Sequence, residues 1–161
     1  WNHSSKMSMR NNEMKYREKN LMIVAGGTGG HIYPSLSLIN EMKNYNFIIV
    51  TDHRGKGYYD RFFKDKNLNF KIFIHKVTTP STKNLFYKII SLSQIFISFL
   101  KSLLIIKCQK TNVVIGFGGY PSVASILAAK ICNVPSIVHE QNAIIGRGNK
   151  LLSKVSNILA L

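Results

Sequence analysis

Four glycines and a histidine stand between an apolar run and a helix-like stretch in "IVAGGTGGHIYPSLSLINEM", Ile23 to Met42. Glycine lets backbone N–H groups approach a ligand closely and adopt positive φ, at an entropic cost to folding. A loop of this kind opening a helix reads as an anion cradle, with the N–H groups around Thr28, Gly29 and Gly30 as donors. It is not a P-loop, since no Gly-Lys-Ser/Thr follows. Nor does it complete the dinucleotide pattern, because Ile32 occupies the place of the last glycine. His31 lies at the helix start, where the positive dipole end favours a neutral imidazole, and beside a bound substrate it is a candidate general base. The alternative is a histidine that caps or packs the helix.

Two more loops carry chemistry. In "GFGGYPSVAS", Gly116 to Ser125, an apolar run turns through glycines into a helix. Pro121 suits the first helical turn, and Ser122 could offer a hydroxyl to a phosphate. The same glycines could instead serve tight strand–helix packing. In "HEQNAIIGRGNK", His139 to Lys150, four hydrogen-bonding side chains follow one another: His139, Glu140, Gln141 and Asn142. Burying such groups unpaired is costly, so they mark either a polar site or a satisfied structural network. No Asp-x-Asp and no His/Cys cluster with ligand spacing occurs, so a tightly held catalytic metal is not indicated.

These loops need a scaffold that brings them to one edge. "NLMIVA", "FIIVTD", "FKIFIH", "NVVIGF" and "PSIVHE" read as strands, short and rich in Ile, Val and Phe. Helices are expected between them at about 34–43, 57–66, 85–107, 121–131 and 146–154. This alternation predicts an α/β fold, a Rossmann-like parallel sheet with helices on both faces. In such sheets ligands bind beyond the carboxyl ends of the strands, which is where all three loops fall. The closing "VSNILAL" reads as the start of a sixth strand, in a domain that continues beyond it.

The chain has 161 residues, with 45% hydrophobic residues, so a real core is expected and global disorder is not. Its 22 Lys and Arg against 7 Asp and Glu give a formal charge of +15. After Asp65 the sole acid is Glu140, among twelve basic residues. Such a balance suits phosphate-bearing partners or an anionic lipid surface, or is simply a solvated lysine-rich face. No nucleic-acid-binding motif accompanies it, so no specific nucleic-acid partner is expected. Cys108 and Cys132 match no redox or metal spacing and fit a reducing cytosol. Residues 1–19 are polar and basic, lack the apolar segment of a signal peptide, and read as a disordered leader.

"LFYKIISLSQIFISFLKSLLIIK", Leu85 to Lys107, is long and apolar enough to imitate a membrane span. Lys88, Ser91, Gln94, Ser98 and Lys101 recur every three or four residues and form a polar stripe, so an amphipathic helix with a wide apolar face is expected. The part of that face not needed for packing on the sheet could be core, meet a partner domain, or enter a bilayer surface.

"GGTGGHIYPSLSLINEM", "GFGGYPSVASILAAK" and "HEQNAIIGRGNKLLSK" together resemble the N-terminal domain of the bacterial cell-wall N-acetylglucosaminyltransferases of glycosyltransferase family 28. The resemblance runs from about Leu21 to the end of the chain. It implies the N-terminal half of a GT-B fold, in which two Rossmann-like domains enclose the active site. It implies transfer of GlcNAc, with inversion, from UDP-GlcNAc to the MurNAc of undecaprenyl-pyrophosphoryl-MurNAc-pentapeptide at the cytoplasmic face of the bacterial inner membrane. No tightly bound cofactor is implied. By residue, the resemblance places Gly26, Gly27, Gly118, Gly119 and Tyr120 at the lipid acceptor and its pyrophosphate, and the polar character of their loops adds Ser122, His139 and Gln141 as candidates there. It places Thr28, Gly29, Gly30 and Asn142 at the donor and His31 as base or positioning group on the acceptor hydroxyl; Glu140, the lone carboxylate of the basic half, is the second candidate at the reacting groups.

Two departures accompany the resemblance. The second domain, which in the family holds most donor contacts, has no counterpart here, so this chain is expected not to catalyse transfer alone; a partner chain or a missing C-terminal domain would supply that half. Where the family often has a Gly-Arg-Gly-Lys-like segment, this chain reads "KVTTPSTKN". A catalytically empty membrane-docking module with the same fold is the reading from another class.

Overall fold

The computed structural model describes residues 19–42, 44–76, 85–143 and 145–161. Residues 1–18 of the expected leader and most of "KVTTPSTKN" lie outside the described residues. Six parallel strands form one sheet in the order β3-β2-β1-β4-β5-β6. They are β1 Asn20–Val24, β2 Asn46–Thr51, β3 Phe70–Ile74, β4 Val113–Gly116, β5 Ser136–His139 and β6 Ile158–Ala160. The helices between them are α1 Gly29–Glu41, α2 His53–Phe63, α3 Leu85–Cys108, α4 Tyr120–Ile131 and α5 Arg147–Leu152. The Rossmann-like α/β expectation is met, and the strand order reverses between β1 and β4.

Successive side chains on a strand point to opposite faces, and here each face has its own core. Leu21 and Ile23 of β1 join Ile32, Leu36 and Ile39 of α1 and Tyr59 and Phe63 of α2. Met22 and Val24 join Ile105 and Ile106 of α3, Ile126 and Ala129 of α4, and Leu152 of α5. Being buried on both faces is why β1 and β2 read as continuous apolar runs rather than alternating ones.

Asparagine side chains finish the opposite, amino-terminal edge of the sheet. Asn46 Nδ2 donates to Asn20 Oδ1 at 3.0 Å, Asn69 Nδ2 donates to Asn46 Oδ1 at 2.9 Å, and the Asn20 N–H donates to Asn112 Oδ1 at 2.7 Å. They bridge β3's approach, β2, β1 and β4 where the backbone ladder begins, leaving the carboxyl edge free for the long loops.

Three helices differ from expectation. α1 begins at Gly29 rather than 34, because Thr28 takes an extended conformation and the glycines behind it enter the first turn despite their poor propensity. α2 begins at His53 rather than 57, because the Asp52 side chain caps it by accepting from the Gly55 N–H at 2.9 Å. α5 is shorter than expected, ending at Leu152.

α3 corrects the reading of its polar stripe. Ser91, Ser98 and Ser102 face the protein, at 2%, 1% and 0% exposure, while Lys88 and Lys101 of the same spacing are exposed. Small side chains let α3 lie close on α4, where Ser102 and Ser125 share a hydroxyl–hydroxyl hydrogen bond of 3.0 Å. Phe86, Ile89, Leu92, Phe96, Leu100 and Leu104 consequently point outward and expose an apolar ridge.

Candidate functional site

The loops leaving β1, β4 and β5 meet at the carboxyl edge, beside the reversal of strand order. Between them lie two clefts of about 290 Å³ and about 200 Å³. His31, Gly119 and Tyr120 line both, so the clefts adjoin. The larger is completed by the β4 and β5 loops, with Gly118, Glu140, Asn142 and Asn149. The smaller is completed by Gly26, Gly27 and Thr28 with Asp52 and Arg54.

The first glycine loop is held by backbone conformation and by one carboxylate. Gly27 has φ of 90°, which only glycine adopts freely. Its N–H donates to Asp52 Oδ2 at 2.9 Å. The same oxygen receives Arg54 Nη2 at 2.9 Å, setting the guanidinium over the loop. Thr28 is the N-cap of α1 without a side-chain cap bond, and no acidic residue occupies the first turn. The N–H groups of Gly29 and Gly30 stand in that turn, where a helix has no internal acceptors to offer.

The second glycine loop brings the chain against the first. Gly118 and Gly119 have φ of 114° and 79°. A Cβ on Gly119 would lie 2.8 Å from the Gly26 carbonyl oxygen, and one on Gly118 would lie 2.7 Å from the His31 ring. Ser122 does not face a cleft. Its fully buried hydroxyl shares its one proton between the carbonyls of Gly118, 2.8 Å, and Val24, 3.1 Å, and accepts from the Gly118 N–H at 3.2 Å. The expectation that it offers a hydroxyl to phosphate is corrected: those bonds shape the loop instead.

The third loop is organised around Glu140, which is 3% exposed. Oε1 accepts from the Asn142 N–H at 3.0 Å and Asn142 Nδ2 at 2.7 Å. Oε2 accepts from the Gly146 N–H at 2.8 Å and Asn149 Nδ2 at 3.0 Å. Burial pushes the carboxyl up, but these four donors outweigh it and hold it below its ordinary value. A carboxylate whose lone pairs are filled by four donors is ill suited to proton transfer, so the expected place of Glu140 at the reacting groups gives way to one as organiser of the loop. Asn142 turns its amide back onto Glu140 while lining the larger cleft.

His139 lies behind that wall. Its ring tilts against Phe117 at 5.2 Å, its carbonyl accepts from Asn149 Nδ2 at 3.3 Å, and it lines neither cleft. Gln141 reaches across to His31, its Nε2 meeting Nδ1 of the ring. Sequence reasoning missed Asp52, Arg54 and Asn149. An aspartate directly after an apolar run was the available signal for the first, as a helix N-cap. Asn149 was visible only as one polar residue in "GRGNK". Among the described residues, no group of three or more His, Cys, Asp or Glu is arranged to hold a metal ion.

The arrangement offers backbone donors and a cationic side chain to an anion, with an imidazole where two clefts adjoin. The chain that carries this arrangement matches known proteins. Residues 21–159 match the glycosyltransferase family 28 N-terminal domain. The chain is 38% identical over 144 residues to the UDP-N-acetylglucosamine–N-acetylmuramyl-(pentapeptide) pyrophosphoryl-undecaprenol N-acetylglucosamine transferase of Rickettsia prowazekii, covering 88% of this chain and 35% of that protein. It is 37% identical over 137 residues to the protein of the same name from Rhizobium meliloti, covering 83% of this chain and 35% of that one. MurG of Acinetobacter baumannii superposes with a TM-score of 0.69 at 26% identity, over 88% of this chain and 40% of that structure. The chain thus spans about a third of the length of the curated relatives it matches. On the family match, and on the fold it shares with MurG, the chain belongs to glycosyltransferase family 28, whose N-terminal domain it represents.

Proposed function

We propose that this chain is the acceptor-binding half of an inverting N-acetylglucosaminyltransferase that moves GlcNAc from UDP-GlcNAc to the MurNAc of undecaprenyl-pyrophosphoryl-MurNAc-pentapeptide. The carrying observation is the junction of the two clefts at His31, Gly119 and Tyr120, with a glycine loop on either side. The names of the relatives suggest the substrates, and the adjoining clefts support a site for them in this chain.

In this reading the acceptor pyrophosphate lies on the glycine loops, with Gly26, Gly27, Gly118, Gly119 and Tyr120 around it. Thr28, Gly29, Gly30 and Asn142 face the donor, and Gln141 acts through His31. His31 stands beside the acceptor where its pyrophosphate meets the sugar; the MurNAc 4-hydroxyl bonds to the anomeric carbon as the bond to UDP breaks, and the hydroxyl proton is released to water. Most donor contacts come from a second domain, on a longer chain or on a partner. Glu140 keeps the third loop in shape.

The outward ridge of α3 supports docking on the cytoplasmic leaflet of the inner membrane. Six large apolar side chains lie along it, with exposed Lys88, Lys101 and Lys107 beside them. An apolar strip edged by cations suits an anionic lipid surface.

The test is binding of the full chain to anionic liposomes with and without the lipid-linked acceptor, at matched charge. Tighter binding with the acceptor supports the reading. Equal binding would leave a membrane-docking module without an acceptor site. Fusion to the second domain of the Rickettsia prowazekii relative, assayed for GlcNAc transfer, tests the catalytic half of the proposal.

A further inference from the structure

The ring of His31 is fixed from two sides. The Gly118 backbone comes so close that an added Cβ would lie 2.7 Å from both Cε1 and Nδ1. From the third loop, 110 residues away in sequence, Gln141 sets its amide Nε2 against Nδ1. An amide nitrogen carries donors and no acceptor lone pair, so this contact is a hydrogen bond only when Nδ1 accepts. In a neutral imidazole the proton then sits on Nε2. With Nδ1 engaged by Gln141, Nε2 is the ring nitrogen left for a ligand in the adjoining clefts.

We propose that Gln141 is a positioning residue that fixes His31 in the Nε2–H tautomer, so that His31 donates a hydrogen bond to an anionic oxygen of the ligand rather than accepting a proton from a hydroxyl. Nε2 in this form has no lone pair with which to act as a base. The base form needs the proton on Nδ1, which requires the Gln141 carbonyl in place of its amide nitrogen. That carbonyl oxygen is buried and without a partner among the described residues. The identity of the oxygen as part of a diphosphate rests on the acceptor-half reading; the tautomer rests on the Gln141–His31 contact alone.

The tautomer is read from the imidazole nitrogen shifts of the full chain labelled with 15N-histidine, at mildly alkaline pH, with His31 assigned by loss of its signals in His31→Gln. The expected wild-type pattern is a protonated Nε2 and an unprotonated Nδ1. In Gln141→Glu the carboxylate can only accept, so the pattern should invert. In Gln141→Met, which removes the donor at similar size, the shifts should move toward the average of the two tautomers, and this variant serves if the glutamate variant does not fold. A protonated Nδ1 in the wild type, or an unchanged pattern in the folded variants, overturns the proposal. Inorganic pyrophosphate is then titrated in, and a shift of the Nε2–H resonance in the wild type but not in Gln141→Glu is expected. A correct tautomer with an Nε2–H silent to pyrophosphate overturns the donor role on a diphosphate while leaving the role of Gln141 intact.

Discussion

The carboxylate of Asp52 accepts the Gly27 N–H at 2.9 Å with one oxygen and the Gly55 N–H at 2.9 Å with the other. One buried side chain thereby ties the first glycine loop to the start of α2. Replacing Asp52 with Asn keeps at most one of these bonds and turns a donor toward the rest. We expect Asp52→Asn to destabilise the fold by about 1–2 kcal/mol, measured by urea unfolding, and to increase amide exchange at Gly27. Unchanged exchange at Gly27 would separate the cap from the loop.

Glycines of this chain differ in what they tolerate. Gly119 combines φ of 79° with a Cβ position 2.8 Å from the Gly26 carbonyl oxygen, so Gly119→Ala meets both strain and backbone. A loss of about 2–3 kcal/mol is expected. Gly57 lies inside α2 with nothing within 4 Å of its added Cβ, so Gly57→Ala should instead stabilise by about 0.5–1 kcal/mol. Thermal unfolding of the pair checks both signs.

Glu140→Gln replaces a carboxylate that satisfies four donors by an amide that can satisfy only half of them. A cost of about 2–3 kcal/mol at neutral pH is expected. The Glu140 carboxyl lies below its ordinary value in the folded chain, so its contribution is complete above the ordinary carboxylate range and is lost as pH falls through the folded value. The stability gap between wild type and Glu140→Gln should therefore close on acidification; a gap independent of pH would contradict it.

His75 follows β3 in a wholly buried position, and neither ring nitrogen has a partner among the described residues. Burial, then the charge of Lys101, lowers its pKa from 6.5 to about 4. The unfolded chain binds the proton more readily, so stability is full above pH 6.5, falls between there and about pH 4, and levels off below. The total is at most roughly 3 kcal/mol. His75→Leu should flatten unfolding free energy across that window.

Phe96 and Leu104 on the outer ridge of α3 are 59% and 63% exposed. Changing both to Glu should cost no more than about 1 kcal/mol of urea stability, chiefly the ring contact of Phe96 with Phe99. Binding to anionic vesicles should fall at least tenfold, measured by co-sedimentation. Equal vesicle binding would mean that cationic charge alone accounts for it.

Much of the fold was legible because its signals are local. Short β-branched runs alternating with helical stretches require parallel βαβ units, and the loop glycines announce themselves by type. Helix starts were less legible: Gly29 and Gly30 have poor helical propensity, and Asp52 acts as a cap only once Gly55 curls back to it. The inward turn of Ser91, Ser98 and Ser102 was hidden for another reason. A stripe of small polar residues reads as a solvated face until a neighbouring helix approaches closely enough to use their size.

By itself, then, the amino-acid sequence determined the class of fold, the edge of the sheet that carries chemistry, and the three loops that gather there, since each follows from periodicity and residue type over a few adjacent positions. Tertiary structure alone decided which polar groups of those loops remain for a ligand. Ser122, Glu140 and His31 are all chemically able in sequence. Ser122 is taken up by Val24, 98 residues away, Glu140 by the loop it closes, and one nitrogen of His31 by Gln141. Hydrogen-bond capacity is a property of the side chain, but its availability depends on which partners packing has brought within about 3 Å.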